Sequence, residues 1–438
     1  MNKKKWEAFD TFVKNKMDQQ NIAGVAVAVS HNGEIIYKKG FGYGNVNTKE
    51  SITPETIFGI ASITKSFTAL GIMMLEEKGH LSVEEPVTKY LPEFNVPGID
   101  NMEEIKIYHL LSHTTGLAPM ERKEELYKLK EHLGYFSSKK HELLGKPGEY
   151  FSYCNDTFIL LGAIIERITG KLFRRYITEN ILNPLKMYRS TMSLEEVAKY
   201  DNITVPYDLN NEKVLEEKPW PKLGNYEVGG GIRSTTLDLL KYGELYINKG
   251  FSKGGRLLSY DSLKKMWEKS FPILENSYYG YAFKVTSHYD GNMTLVEHGG
   301  GQPGVSSNFG FIPEENLVVS VLCNVSNVAA QDVWLGAVNT ALNLPIEKKR
   351  LELQMEDISP EELERYIGKY DCAEGGAAEV LLEDNEPKII VNNETLPLKS
   401  GRKNVLIIEK TRIPVQFYFK DENAWAMLLG SRMLVKRK

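Results

Sequence analysis

The stretch Ile57-Phe58-Gly59-Ile60-Ala61-Ser62-Ile63-Thr64-Lys65 decides how this chain is organised. Its first residues are apolar and strand-like, and an apolar helix is predicted to follow over Phe67–Lys78, ended by Gly79. Ser62 and Lys65 are three positions apart on a first helical turn, so the amine can reach the hydroxyl. A serine becomes a useful nucleophile only when such a base lies beside it.

The Ser-x-x-Lys spacing alone is weak, because it also begins at Ser137, Ser262 and Ser400. Those copies lie in a polar run, inside a polar helix pattern and in a turn. Ser62 alone has an apolar strand before it, a long apolar helix after it and small residues around it. The context therefore favours Ser62 as the nucleophile.

Two further short motifs follow along the chain. Tyr153-Cys154-Asn155 precedes a helix predicted from Asp156, and His298-Gly299-Gly300 is predicted to end the strand Thr294–Val296. Each motif type recurs elsewhere, so neither is informative by itself. The order Ser-x-x-Lys, Tyr-x-Asn, His-x-Gly, with one copy of each in a suitable setting, is the joint signal.

Apolar strand patterns lie at both ends of the first 345 residues, and helices are predicted between them. The Asn32-Gly33 pair joins two apolar runs and is a strong hairpin signal, because both central residues must adopt positive φ. The predicted strands are 22–29, 34–37, 294–296, 307–312 and 317–322, and the main helices between them are 67–78, 156–169 and 237–248. We therefore predict an α/β domain over residues 1–345, with one antiparallel sheet flanked by helices and a helical insertion over about 80–225.

The character of the chain changes near Ser359. Residues 346–358 are charged and are predicted to be a linker, and short alternating runs then recur every 8–12 residues through 359–438, as in a small all-β barrel. We expect this tail to border the mouth of the site and to restrict substrate length.

Composition excludes several classes of protein. The chain has 438 residues with a formal charge of −4, which disfavours nucleic acid as the main partner. It contains no apolar run long enough to span a membrane and no secretory signal at its amino end. Its three cysteines argue against a disulfide scaffold and fit a reducing, cytoplasmic location, and an extracytoplasmic location is the alternative if a leader was trimmed.

With these motifs, the chain resembles the serine β-lactamase-like superfamily, and within it the class C-like branch of penicillin-binding-protein-like esterases and D-aminopeptidases. The resemblance covers about residues 8–340, and the tail resembles a lipocalin-like β domain of some members. Besides the three motifs, the phrases that carry it are Leu110-Leu111-Ser112-His113-Thr114-Thr115-Gly116-Leu117, Tyr153 to Gly170, Gly229-Gly230-Gly231-Ile232-Arg233-Ser234-Thr235 and His298 to Gly304.

The resemblance implies an acyl-enzyme mechanism. Ser62 would be the nucleophile, and Lys65 and Tyr153 would act together as its general base. His298 would be a further catalytic residue. The backbone N–H groups of Ser62 and Gly301 would form the oxyanion hole. Substrate would be bound by residues of the second and third motifs, namely Asn155, Gly299 and Gly300.

Two positions depart from the family pattern. His298 stands where β-lactamases and penicillin-binding proteins have a lysine that holds a substrate carboxylate. Because histidine is mostly uncharged near neutral pH, recognition of a free carboxylate is in doubt. Cys154 replaces the usual serine and is interpreted as a small buried residue.

Two other patterns suggest cofactors but are disfavoured. His109 and His113 have the spacing of zinc ligands on a helix, yet Leu110 stands where a metalloprotease has its glutamate. Gly299 to Gly304 fits G-x-G-x-x-G, but Val305–Ile312 alternates like a strand where a dinucleotide site needs a helix. We predict no cofactor and no metal.

The leading hypothesis is a serine hydrolase acting on a short acyl ester or a D-amino-acid-containing peptide. The alternative is a penicillin-binding or sensor protein that is acylated by β-lactams or peptidoglycan fragments without efficient turnover. The expected partner is a small-molecule or peptide substrate, a homo-oligomer is possible, and the tail could serve as a docking module.

Overall fold

The computed structural model of the chain describes residues 3–268 and 270–437. These residues form two compact units, and neither is continuous in sequence. The first unit comprises residues up to Glu85, Glu124–Leu129 and Leu161–Arg350, and the second comprises Pro86–Lys123, Lys130–Leu160 and the residues from Leu351 onward. The domain boundaries taken from the sequence stay predictions.

A nine-stranded antiparallel sheet organises the described part of the first unit. Its strands, in spatial order, are Phe271–Leu274, Ser277–Tyr279, Lys284–Tyr289, Met293–Gln302, Val305–Ile312, Leu317–Cys323, Gly24–His31, Glu34–Asn45 and Glu50–Ser51. Early and late strands of the unit meet where Gly24–His31 pairs with Leu317–Cys323. The hairpin at Asn32-Gly33 has positive φ at both residues, as the sequence predicts.

The central strands of the sheet are buried on both sides, which shows that other elements cover both faces. On one face, Val25, Val27 and Val29 pack with the helices Lys3–Gln20 and Ala330–Ala341. On the other face, Ser320 donates a hydrogen bond to the carbonyl of Thr236, at the start of the helix Thr236–Ile247. Alternate residues of the same strands therefore supply two apolar layers.

The helical elements vary widely in length. The α-helices are Lys3–Gln20, Thr64–Glu77, Val87–Tyr90, Ile107–Leu111, Leu129–Ser138, Asn155–Thr169, Phe173–Ile177, Leu194–Val197, Glu227–Gly230, Thr236–Ile247, Tyr260–Glu268, Ala330–Ala341 and Pro360–Leu363. Single turns of other helix types are Ala61–Ile63, Met102–Glu104, Thr178–Leu182, Gly224–Tyr226 and Pro313–Glu315. Short two-stranded pairs join Phe58–Gly59 to Arg233–Ser234, Tyr207–Leu209 to Leu215–Glu217 and Phe251–Ser252 to Gly255–Arg256.

The second unit contains a closed barrel of eight antiparallel strands. The strands are Gly368–Asp371, Ala377–Glu383, Glu386–Val391, Glu394–Ser400, Val405–Ile408, Ile413–Lys420, Asn423–Leu429 and Arg432–Lys436, and the first pairs with the last. Side chains such as Tyr370, Val380 and Phe417 fill its interior. The barrel is therefore a packed body rather than a channel.

The predicted fold class is confirmed: an α/β part with a large antiparallel sheet and helices, followed by an all-β barrel. One local prediction is wrong. His298-Gly299-Gly300 does not end its strand, which continues to Gln302 and pairs residue by residue with Val305–Ile312. Among the described residues, no helix is long and apolar enough to cross a membrane.

Candidate functional site

Ser62 lies on a tight turn held by backbone hydrogen bonds. Ala61, just before it, adopts φ +46°, a left-handed conformation that costs energy for a residue with a side chain. The N–H of Ile60 donates to the carbonyl of Ile232 at 3.1 Å, and the N–H of Ile63 donates back to Ile60. These bonds hold the strained turn at the start of the helix Thr64–Glu77.

Lys65 brings its amine to the Ser62 hydroxyl. Its Nζ lies 3.3 Å from Ser62 Oγ and donates to the carbonyl of Gly229 at 3.1 Å. The side chain is 1 % exposed, so its position is set by packing rather than by solvent. Gly229 leaves room for the amine at this position, because a Cβ at that residue would lie 2.7 Å from Nζ.

The glycines after His298 let their strand approach the Ser62 turn closely. A Cβ on Gly300 would lie 2.4 Å from the carbonyl oxygen of Ile60, so only glycine fits there. Ser307 on the neighbouring strand donates to the same Ile60 carbonyl at 2.9 Å. A Cβ on Gly301, in contrast, would meet no atom within 4 Å, so this glycine borders open space.

His298 is buried and neutral. Burial, followed by the positive charge of Lys65, lowers its pKa to about 4. Its Nδ1 lies 2.6 Å from the carbonyl oxygen of Gly299, which can only accept, so Nδ1 carries the proton. Nε2 then accepts the O–H of Tyr279 at 3.0 Å. At neutral pH the third motif therefore offers no cation.

A buried ion pair lies next to His298 in sequence. Arg350 donates twice to the Glu297 carboxylate, at 2.5 and 2.8 Å, and Asn308 donates to it at 2.7 Å. Burial alone would raise the pKa of Glu297, but the Arg350 guanidinium holds it below its usual value. Arg350 lies in the segment 346–358 that was predicted to be a linker, so its ion pair with Glu297 was not predicted. We call Ser62, Lys65, Gly229 and His298 the Ser62 centre.

In the second unit, His113 supports the Tyr153-Cys154-Asn155 motif. The N–H of Cys154 donates to His113 Nδ1 at 3.3 Å, and the N–H of Ser152 donates to the His113 carbonyl at 3.0 Å. The rings of His113 and Tyr153 have centroids 4.1 Å apart. Cys154 is fully buried, and burial raises its pKa to about 12, so it is a packing residue.

Two barrel residues contact the same motif. Asn155 Nδ2 donates to Glu374 Oε1 at 2.7 Å, and Arg432 Nε donates to Glu374 Oε2 at 2.7 Å. The Arg432 guanidinium lies over the Tyr153 ring, 4.9 Å from its centroid. Burial would lower the pKa of Arg432, but Glu374 raises it above its usual value, so Arg432 stays charged. We call Tyr153, Asn155, His113, Glu374 and Arg432 the Tyr153 centre.

The structure thus groups the predicted site residues in two sets. Ser62, Lys65 and His298 to Gly301 lie together in the first unit, and Tyr153 and Asn155 lie in the second. Sequence reasoning missed the contributions of four residues, namely Gly229, His113, Glu374 and Arg432. The first two belong to phrases that carried the family resemblance, whereas the barrel residues carry no local signal because only the fold brings them to the motif.

Neither cofactor pattern has the geometry that it needs. His109 lies in the helix Ile107–Leu111 and its Nδ1 accepts the N–H of Lys106, whereas His113 lies beyond that helix and accepts from Cys154. Within residues 3–268 and 270–437, no group of three or more potential ligands is placed to hold a metal. Gly304 is followed by the strand Val305–Ile312, not by the helix that a dinucleotide site requires.

Curated proteins similar to this chain include penicillin-binding-protein-like sequences. Penicillin-binding protein 4* of Bacillus subtilis (strain 168) is 25% identical over 458 residues, covering 98% of this chain and 97% of that protein. Protein flp of Staphylococcus aureus (strain NCTC 8325 / PS 47) is 28% identical over 333 residues, covering 73% of this chain. This chain spans only 63% of the length of that flp protein.

Similar folds occur among solved structures. The octameric penicillin-binding protein homologue from Pyrococcus abyssi matches with a TM-score of 0.73 and 29% identity over all of both chains. SurE matches with a TM-score of 0.75 over all of both chains, and at 19% identity this likeness concerns the fold alone.

The family itself follows from a match to a family model. A model of the beta-lactamase family matches residues 9–339, a range that includes all three motifs. The expected superfamily, with its penicillin-binding-protein-like relatives and a carboxyl-terminal barrel, is confirmed, and the class C-like branch stays a prediction. This match makes the chain a serine hydrolase at the level of its superfamily, and the chain belongs to the beta-lactamase family.

Proposed function

We propose that this protein hydrolyses ester or amide bonds through an acyl-enzyme formed on Ser62. The observation that carries the proposal is the buried Lys65 amine, 3.3 Å from the Ser62 hydroxyl on a strained turn. An amine within reach of a serine hydroxyl is the kind of adjacent group that takes the hydroxyl proton in this chemistry. This pairing supports activation of the hydroxyl.

In the proposed reaction, Ser62 Oγ attacks the substrate carbonyl carbon while its proton passes to the base shared by Lys65 and Tyr153. The backbone N–H groups of Ser62 and Gly301 stabilise the oxyanion, and open space at Gly301 supports this role. The proton then goes to the departing alcohol or amine. Water attacks the acyl-enzyme while the same base takes its proton, the bond between the acyl carbon and Ser62 Oγ breaks, the proton passes to Oγ, and the free acid leaves.

The substrate class follows from the charge at the third motif. His298 has a pKa of about 4 and offers a neutral ring where carboxylate-binding relatives have a lysine. A neutral site binds uncharged groups better than a carboxylate, because an unpaired charge loses its hydration without compensation. We therefore favour a short acyl ester or an amide of a D-amino acid as substrate, rather than a β-lactam.

The test combines turnover with covalent labelling. The wild type should hydrolyse p-nitrophenyl acetate or a D-amino-acid amide with multiple turnovers, and a fluorophosphonate probe should label Ser62. Ser62→Ala should abolish both. Ser137→Ala and Ser262→Ala are matched controls, since Ser137 Oγ bonds to its own helix and Ser262 Oγ bonds to Ser259.

Each result has a distinct meaning. One covalent label per chain without turnover would favour the binding or sensor alternative. Turnover that survives in Ser62→Ala would refute the nucleophile assignment. A homo-oligomer is also proposed, since the Pyrococcus abyssi homologue is described as octameric, and light scattering on the purified chain measures the oligomeric state.

A further inference from the structure

Glu374 determines which way the Asn155 amide faces. Glu374 lies on the turn between the strands Gly368–Asp371 and Ala377–Glu383, and its Oε1 is 2.7 Å from Asn155 Nδ2. An ionised carboxylate only accepts hydrogen bonds, so the amide nitrogen must face it. The carbonyl oxygen of Asn155 is then directed to the other side of the amide, as an acceptor.

Arg432 links the same carboxylate to Tyr153. Its Nε–H donates to Glu374 Oε2 at 2.7 Å, and its guanidinium lies over the Tyr153 ring. The planar guanidinium can make both contacts together, since it stacks on aromatic faces while its N–H groups donate in plane. The four side chains of Asn155, Glu374, Arg432 and Tyr153 therefore form one connected series.

The hairpin that carries Arg432 is also bonded to the backbone of the motif. Leu429 pairs with Arg432 across the two-residue turn Gly430-Ser431, and Gly430 has φ +63°, as the first central residue of a type II′ turn requires. The N–H of Tyr153 donates to the Ser431 carbonyl at 2.8 Å. A turn of this kind is short and stiff, so the backbone at Arg432 is held in place next to Tyr153.

Attachment of the barrel does not depend on these side chains. Arg437 pairs with Glu142 at 2.7 Å, and the Tyr150 ring contacts the rings of Tyr418 and Trp425. Those contacts join the barrel to the same part of the second unit without touching Tyr153 or Asn155. The Glu374–Arg432 pair thus has a contact pattern specific to the motif.

We propose that Glu374 and Arg432 are positioning residues, through which the barrel fixes the side chains of Tyr153 and Asn155 for the reaction. This inference rests on the proposed serine hydrolase function for its kinetic consequences. It assigns to the barrel a part in building the site, and the substrate-length barrier expected from the sequence stays a separate prediction. The transition state then depends on two residues more than 200 positions away from the motif.

The experiment compares Glu374→Ala and Arg432→Met with the control Arg437→Met in the full chain. Misplacing a catalytic group by about 1 Å can cost about 100-fold in rate, so we expect the first two variants to lose at least about tenfold in kcat with KM nearly unchanged. Arg437→Met removes an arginine just past the other end of the strand that Arg432 begins, and should keep the wild-type kcat. Arg432→Lys keeps the charge but loses the planar contact, and should recover only part of the loss.

Double variants show whether each residue acts through its partner. Arg432→Met should have little effect in a Tyr153→Phe background, and Glu374→Ala should have little effect in an Asn155→Ala background. The inference would be overturned if each substitution lowered kcat by the same factor in its variant background as in the wild-type background. Equal losses of kcat in Arg432→Met and Arg437→Met would also overturn it, since these would indicate a general effect on the barrel.

A second readout does not depend on activity. Hydrogen exchange of the peptide covering residues 150–156 should be faster in Glu374→Ala and Arg432→Met than in the wild type, and unchanged in Arg437→Met. If exchange there stays at the wild-type rate, the positioning role is refuted even when the wild type proves inactive. If the wild type is inactive and unlabelled while exchange changes as expected, the proposed function fails and the positioning role stands.

Discussion

The Ser62 centre and the Tyr153 centre are built by different physical means. In the Ser62 centre and the strand beside it, glycines determine the geometry: Gly229 makes room for the Lys65 amine, and Gly300 makes room for the backbone at Ile60. In the Tyr153 centre, charged and aromatic side chains determine it, since Glu374 bonds to Asn155 and Arg432 lies over the Tyr153 ring.

This difference shows how each centre can be perturbed. Steric fit at glycine is lost when a single methyl group is added, even if every charge is kept. A series of ionic contacts tolerates small changes of volume but is lost when one charge is removed, because its partner is left buried and unpaired. Substitutions of the two kinds therefore test the two centres separately.

The largest effect is expected at Lys65 and Tyr153, the two residues of the proposed shared base. Lys65→Ala and Tyr153→Phe should each lower kcat by about 10²–10⁴-fold, as for other general acid–base groups. If both belong to one proton-transfer unit, the double variant should be little slower than the slower single variant. Steady-state kinetics on a p-nitrophenyl ester measure all four forms. Additive losses would mean that the two residues act independently.

Gly229→Ala tests the steric construction of the Ser62 centre. The added Cβ would lie 2.7 Å from Lys65 Nζ, and a flexible lysine end can move aside, so the protein should fold with its amine displaced. We expect kcat to fall by about 100-fold. Gly230→Ala is the matched control, because its Cβ would meet Leu223 at an ordinary 3.5 Å, and its kcat should stay within about threefold of the wild type.

A loss of folding would also lower the kcat of Gly229→Ala, so folding has to be measured separately. Circular dichroism and fluorophosphonate labelling therefore accompany the kinetics, and Gly229→Ala should keep the wild-type spectrum while its labelling slows. Equal kcat values for the two alanine variants would show that Gly229 does not set the amine position.

The contrast between the centres also explains what the sequence could predict. Ser62, Lys65 and the helix after them are neighbours in the chain, so spacing and apolar pattern predicted their grouping on one turn. The hairpin at Asn32-Gly33 was predictable for the same reason, since its turn chemistry is local. Sequence patterns report such short-range geometry directly.

Long-range contacts gave no comparable signal. Glu374 and Arg432 are ordinary charged residues near barrel turns, and only the closure of eight strands brings them to Asn155 and Tyr153. The strand end after His298 was also mispredicted, because three glycines usually weaken a strand. Here the strand continues, since Gly300 is needed for close packing against the carbonyl of Ile60.

His298→Lys tests which substrates the Ser62 centre accepts. A neutral His298 leaves a substrate carboxylate unpaired, so wild-type nitrocefin hydrolysis should be weak. A lysine would supply a charge-assisted contact of about 1.5–3 kcal/mol, or about 10–150-fold in KM for carboxylate-bearing substrates relative to neutral esters. The ratio of kcat/KM for nitrocefin and for p-nitrophenyl acetate measures the change. Efficient nitrocefin turnover by the wild type would contradict this account.

A buried neutral histidine occurs in the second unit as well. His109 is 4 % exposed, and burial, followed by the charge of Lys106, lowers its pKa from 6.5 to about 4. The unfolded chain therefore binds a proton at His109 as the pH falls below 6.5, whereas the folded chain does so only near pH 4. Stability from this group is complete above pH 6.5 and is lost progressively as the pH falls toward 4.

The smallest expected effect is the contribution of His109 to acid sensitivity. Between pH 7 and pH 5 the proton linkage at this residue should lower the free energy of unfolding by about 2 kcal/mol. His109→Gln cannot titrate, so its loss of stability over that range should be smaller than that of the wild type by about this amount. Urea unfolding at the two pH values measures the difference. If His109→Gln loses as much stability as the wild type, His109 is not held neutral, and the acid sensitivity comes from other groups.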